Sequence, residues 1–329
     1  MPPSVALVLS AGGAIGSAYH AGALAALADV GEWDARTAEL IVGTSAGSSA
    51  ATLLRIGFSP ADLRRRARGE RLSDEGEALL ARAPEERLEL PSRPGVTSFL
   101  VPEAPWLLAP AFLSRGPVRP GLLLAGFAPR GAYDLSQLGD RMRALSPDDW
   151  EQGWPDRPTW ICAVRLRDGR RTVFGRDPVD VPDIGTAVQA SSAVPALFRP
   201  VDIGPHTYVD GACWSSTNAD LVAALGFDLV VIVSTMSAVP RALDRSMHQA
   251  ARTVQARLLA REVARIRDKG SETLVIQPTV ADLATMGINP MEDGRASEVT
   301  RSAYESVGEL LDRPEVASRL RTLRATKAT

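Results

Sequence analysis

Lysine is almost missing from this chain: of 37 basic residues only Lys269 and Lys327 are lysines. The arginines that carry the rest of the positive charge are scattered and the formal net charge is −2, so no nucleic-acid partner is expected. The one dense run, Arg64-Arg65-Arg66-Ala67-Arg68, reads as a solvated helix face, with transient membrane-surface contact as the alternative. Two cysteines, Cys162 and Cys213, are too few for a disulfide framework and fit a reducing compartment. Cys162 sits in a strand-like run and reads as a buried thiol. No uninterrupted apolar run of about 18 residues exists, which excludes a membrane-spanning helix. The N-terminus lacks a basic segment and its apolar run at 5–9 is too short for a signal peptide. A cytoplasmic protein is therefore expected, with peripheral membrane contact left open. Histidine is scarce too. His20, His206 and His248 are the only candidates for any chemistry that needs an imidazole.

What is present reads as an α/β protein. Hydrophobic residues make up 45% of the 329 and charged residues 23%, enough to bury a large core. Residues 4–10 are continuously apolar, as a parallel strand covered on both faces is. A glycine-rich loop at 11–16 follows, then an expected helix at 17–29, a second strand at 39–42 and a helix at 46–56. Right-handed crossovers bring the ends of such strands to one sheet edge, where ligands of open α/β sheets bind. The loop after the first strand and the residues after the second therefore converge.

From 59 to 156 the pattern changes. Helical pieces at 61–68 and 73–83 lead into a stretch with eight prolines between Pro91 and Pro129, interleaved with leucine, phenylalanine and tryptophan. That density excludes a long helix or a central strand. We expect one domain over 1–329 with 59–156 as an apolar insertion, either a cap packed on the core or a lid. A helix at 135–145 closes it. Strands at 159–166 and 171–174 flank the hairpin signal Asp168-Gly169. A helix at 184–190, a short strand at 207–209, a helix at 219–225, a buried strand at 228–234, a long helix at 241–269 and a strand at 272–276 follow. Helices at 297–311 and 314–326 end the chain. The expected architecture is three layers, α/β/α, around a mostly parallel sheet.

One stretch organises the rest. Gly43-Thr44-Ser45-Ala46-Gly47 stands between a predicted strand and a predicted helix, the pattern of a nucleophile elbow. Glycines two residues either side of a strained serine avoid collisions across the turn, and the helix behind it aims its positive end at the site. A serine hydroxyl needs a base. Ser45, Asp210 and His248 follow the order of an α/β-hydrolase triad, but only one strand precedes the elbow and His248 falls mid-helix. The alternative base is Asp210 itself. A carboxylate partly desolvated beside a serine has a raised proton affinity, and Gly211 leaves room for another segment to approach.

Four features in order resemble the patatin-like phospholipases: Ala11-Gly12-Gly13-Ala14-Ile15-Gly16; the elbow at Ser45; Ala190-Ser191-Ser192-Ala193-Val194-Pro195 with Phe198-Arg199-Pro200-Val201; and Asp210-Gly211-Ala212. The resemblance implies a Ser45–Asp210 dyad, an oxyanion hole of the Gly12 and Gly13 amides, and supporting roles for Gly16, Gly43, Gly47, Gly211 and Ala212. It implies a lipid or acyl-ester substrate, neither metal nor cofactor, and an insertion that shapes an acyl pocket. Cys213, Trp214 and Ser215 are candidates to line that pocket or simply to pack. Two positions depart from the family loop: Ala11 replaces its first glycine and Ile15 its arginine. An isoleucine there predicts a more apolar mouth and a preference for neutral acyl esters. The competing readings are a nucleotide-binding module, disfavoured because Ala11 breaks the Gly-x-Gly-x-x-Gly fingerprint, a degenerate lipid-binding member, and an acyltransferase using the same dyad.

Overall fold

The computed structural model describes residues 3–83, 102–108, 119–178, 181–242 and 247–326. The chain opens with β1 (Val5–Leu9), α1 (Gly13–Asp29), β2 (Leu40–Thr44) and α2 (Ala46–Ile56). Helices α3 (Pro60–Ala67), α4 (Asp74–Leu80), α5 (Pro120–Phe127) and α6 (Ser136–Leu145) belong to the middle segment. Then come β3 (Thr159–Arg165), β4 (Arg171–Phe174), α7 (Ile184–Ser191), β5 (Val201–Ile203), β6 (His206–Asp210) and β7 (Leu229–Val233). The last elements are α8 (Met247–Asp268), β8 (Glu272–Ile276), α9 (Val280–Met286), α10 (Ala296–Leu311) and α11 (Ala317–Ala325).

The eight strands form one sheet in the order β5-β6-β3-β2-β1-β7-β8, with β4 also paired to β3. Neighbours from β3 through β8 in that order run parallel, whereas β4, β5 and β6 make antiparallel pairs. The two-residue period of β1 explains the layers. Val5, Leu7 and Leu9 pack into the core under α1 and α10 with Tyr19, Leu24, Ala303 and Val307, while Ala6 and Val8 face Leu259, Val263 and Ile266 of α8. Both faces are covered, as the unbroken apolar runs require.

Local outcomes differ in places from the sequence expectations. Helix α1 begins at Gly13, not at 17: the Gly16 amide already donates to the Gly12 carbonyl, so the glycine-rich loop is itself the first turn. A helix forms at α5 inside the proline-rich stretch because Pro120 occupies its first turn, where no amide donor is needed. Residues 219–222 make a 3-10 turn in place of a longer helix. Strand β5 and helix α9 were not expected; α9 carries a capping box between Thr279 and Asp282. The parts of the expected insertion at 84–101 and 109–118 lie outside the described residues. From the middle segment, Leu63, Leu72, Met142 and Leu145 join the same core as β1 and α1. Among the described residues no helix is long and apolar enough to cross a membrane.

Candidate active site

Strand β3 brings Ser45 and Asp210 together. On one edge it pairs parallel with β2, ending at Thr44 opposite Cys162. Farther along it pairs antiparallel with β6, ending at Asp210 opposite Ala163. Residues 163 and 164 pair with both β4 and β6, and 161 and 162 with both β2 and β4, so β2 and β6 share one edge. The two strands run toward each other and stop at adjacent register positions. Ser45 is the next residue after Thr44.

Ser45 has φ 53° and ψ −120°, a strained conformation for a non-glycine residue, and is 5% exposed. The flanking glycines are required by close packing. A Cβ on Gly43 would lie 2.6 Å from the Ser48 Cα, and one on Gly47 would lie 2.0 Å from the Leu9 carbonyl oxygen. The Ser45 amide donates to the Ser191 hydroxyl at 2.9 Å, which donates to the Cys162 carbonyl at 2.6 Å. The Ser45 carbonyl accepts from the Ser48 hydroxyl at 2.6 Å.

Asp210 is buried, and its carboxylate accepts from the Ala212 amide at 2.7 Å. Desolvation pushes its pKa from 3.8 to about 6; hydrogen bonds from the Ala212 amide and the Ser45 side chain partly offset that rise. Gly211 lets the turn press against β3, since a Cβ there would sit 2.2 Å from the Cys162 carbonyl oxygen.

The loop after β1 is tied to the segments that follow β6 and β7. The Thr235 hydroxyl donates to the Ala11 carbonyl at 2.6 Å, and the Ala11 amide donates to the Ser216 carbonyl at 2.8 Å. Gly12 and Gly16 give Thr235 its place, because a Cβ on Gly12 would lie 2.2 Å from its Oγ1. Gly13 has φ +63° and faces the Pro290 carbonyl. Among the described residues nothing accepts from the Gly12 or Gly13 amides at the N-terminus of α1. Ala11 is not among the positive-φ residues, so alanine replaces the first glycine without backbone strain. Ile15 is 2% exposed and packs into the core with Tyr19 and Leu24. It does not line the mouth, and the inferred preference for neutral esters loses its basis.

The histidines lie elsewhere. His20 is fully buried on α1, and desolvation lowers its pKa to about 3 despite the nearby Val233 carbonyl. His206 begins β6, the end opposite Asp210 and about 13 Å away along the strand. The His248 side chain lies outside the described residues. Cys162 and Cys213 are buried, and burial raises both thiol pKa values, that of Cys162 to about 12.

Sequence reasoning missed a buried network behind the site. Asn218, at φ 53°, donates to the Thr44 hydroxyl at 3.1 Å and to the Ser215 carbonyl at 2.7 Å, with the Gly211 carbonyl at 3.5 Å. It thereby touches the chain neighbours of both Ser45 and Asp210. Glu262 of α8 accepts from the Ser215 and Thr217 hydroxyls and the Ala219 amide, and desolvation raises its pKa. Ser215 is thus a network residue, and Cys213 packs under α5 with Leu107 and Ala125. The Ser215-Ser216-Thr217-Asn218 run is the signal: consecutive small polar residues after an apolar strand. Their partners are far off in sequence.

A strained serine at a strand-to-helix turn thus stands beside a buried carboxylate, on the sheet edge where the glycine-rich first turn of α1 begins. The sequence matches the model of the patatin-like phospholipases over residues 7–223, and the chain belongs to that family. Among solved structures it is similar to VipD from Legionella pneumophila, at 16% identity and a TM-score of 0.42, covering 95% of this chain and 67% of that one. It is also similar to the type III effector protein ExoU, at 19% identity and a TM-score of 0.42, covering 94% of this chain and 53% of that one. No curated protein sequence matches it.

Proposed function

We propose that the protein is a serine lipid acyl hydrolase of the phospholipase A or esterase type. Ser45 Oγ attacks the acyl carbonyl carbon and its proton passes to Asp210. The oxyanion is held by the Gly12 and Gly13 amides, an arrangement in which one lost donor typically costs about 3 kcal/mol. As the ester C–O bond breaks, Asp210 returns the proton to the leaving alcohol oxygen. Water then attacks the acyl-enzyme, giving its proton to Asp210 and its oxygen to the acyl carbon, and Ser45 regains the proton as the fatty acid leaves.

The observation that carries this reading is the register along β3, which stops β2 at Thr44, just before Ser45, next to the buried Asp210 at the end of β6; burial raises that carboxyl's pKa to about 6. A base poised near neutrality is ionised at pH 7 and still basic enough to take a proton in the transition state. The Ala11 departure leaves the loop intact, which favours an active enzyme over a degenerate member. The test is intact-protein mass after incubation with an alkyl fluorophosphonate. Wild type should gain one adduct, Ser45→Ala none, and Asp210→Asn should react far more slowly. Folded wild-type protein that takes up no adduct would rule the reading out.

A further inference from the structure

Two segments flank the exit of β1. In the sheet β1 lies between β2 and β7, and Leu9 pairs with Gly43 on one side and with Val233 on the other. Ser45 and Thr235 each stand two residues beyond those partners, on opposite sides of the chain as it leaves the strand. Thr235 is buried, and its hydroxyl donates to the Ala11 carbonyl at 2.6 Å. The buried Ser10 hydroxyl reaches the same carbonyl at 3.0 Å and accepts from the Thr235 amide at 2.8 Å. The Arg252 guanidinium of α8 holds Thr235 from behind, donating to its carbonyl at 2.8 Å and to that of Ser237 at 3.0 Å.

We propose that Thr235 is a positioning residue that aims the Gly12 amide at the acyl oxygen, a role that rests on the hydrolase reading. The Ala11 carbonyl and the Gly12 N–H belong to one planar trans peptide and point in opposite directions. A hydroxyl that grips the carbonyl from the β7 side therefore turns the amide toward the β2 side, where Ser45 stands. The helix does not supply this hold itself. Its first bond, from the Gly16 amide to the Gly12 carbonyl, fixes the next peptide along. Turning the Ala11–Gly12 peptide would leave a buried carbonyl and a buried hydroxyl short of partners, so the grip resists it. An amide fixed before reaction stabilises a developing oxyanion without reorganising. The same grip accounts for two glycines. A Cβ on Gly12 would lie 2.2 Å from Thr235 Oγ1, and one on Gly16 would lie 3.0 Å from it.

The experiment compares wild type, Thr235→Ala, Thr235→Ser and Ser10→Ala on the full chain. Turnover of 4-nitrophenyl butanoate and the rate of labelling by an alkyl fluorophosphonate are read for each. An amide that loses its aim weakens the transition state and not the bound ester. In Thr235→Ala kcat should therefore fall by about 10- to 100-fold while KM stays within about twofold. Labelling should slow by a similar factor. Thr235→Ser, which restores the hydroxyl, should recover most of the loss. Ser10→Ala removes the second donor from the same carbonyl and should lower kcat by about fivefold. A trifluoromethyl ketone, whose adduct on Ser45 carries the oxyanion, should bind Thr235→Ala more weakly by the factor lost in kcat. A kcat within about twofold of wild type in both alanine variants overturns the proposal and leaves the hydrolase reading standing. A loss that Thr235→Ser shares in full overturns it too, because the methyl and not the hydroxyl then matters. If Thr235→Ala does not fold, Ser10→Ala decides on the same terms. Folded wild-type protein that neither turns over the ester nor takes up label removes both readings.

Discussion

The backbone amide of Ser45 is held by the side chain of Ser191, at 2.9 Å and across 146 positions of sequence. A strained turn at the end of β2 is thus anchored by the last residue of α7, whose hydroxyl also satisfies the Cys162 carbonyl of β3.

Replacing Ser191 by alanine should therefore cost more than one ordinary hydrogen bond. It leaves a buried amide and a buried carbonyl each short of a partner, and the expected loss is about 1–3 kcal/mol. Urea unfolding measures that loss. Fluorophosphonate labelling of the folded variant should slow as well, because the serine is no longer held in its strained conformation.

Activity should follow the ionisation of Asp210, with kcat/KM rising with pH and levelling off above about 6. Stability should run the other way. The folded pKa lies above the unfolded value of 3.8, so this group's contribution is full below 3.8 and is lost as pH rises through about 6. The total is about 3 kcal/mol. Asp210→Asn should be nearly inactive, more stable than wild type at pH 8, and no more stable at pH 4. Thermal melts at the two pH values check this.

His20 should act with the opposite sign. Its folded pKa of about 3 lies below 6.5, so its contribution is present above 6.5 and lost as pH falls toward 3. The shift corresponds to about 5 kcal/mol. His20→Leu should shift the acid-unfolding midpoint to lower pH, as followed by circular dichroism, without changing the pH dependence of labelling at Ser45.

Two glycine substitutions should separate close packing from open space. In Gly47→Ala the new Cβ meets the Leu9 carbonyl at 2.0 Å, and backbone cannot rotate aside as a side chain can. A loss on the order of 3 kcal/mol is expected. Gly294→Ala meets nothing within 4 Å and should stay within about 0.5 kcal/mol of wild type. Paired denaturant curves give both values.

The elbow, the glycine loop and the Asp-Gly turn were legible because each carries its constraint locally. Gly43 lies across its own turn from Ser48, and Gly47 and Gly211 meet the Leu9 and Cys162 carbonyls, so none has room for a Cβ. The parallel strands were equally plain, since burial on both faces leaves an unbroken apolar run. What stayed hidden depends on distant partners. Nothing around Asn218 announces Thr44, and nothing around Glu262 announces Ser215. Ile15 was misplaced for a related reason: it stands where the resembling family has its arginine, which put it at the mouth, whereas here the loop is the first turn of a helix and Ile15 packs into the core.

The head-on meeting of β2 and β6 along β3 ties the reacting geometry to the hydrogen-bond ladder of the sheet itself. A slip of one residue in either pairing would displace one member of the pair by about 3.3 Å and turn its side chain to the opposite face. Partial opening of the site thus requires breaking pairs in the middle of the sheet, not the bending of a surface loop. The amides of β3 should be among the slowest to exchange with deuterated solvent, and exchange there should keep pace with loss of labelling at Ser45 as denaturant is added.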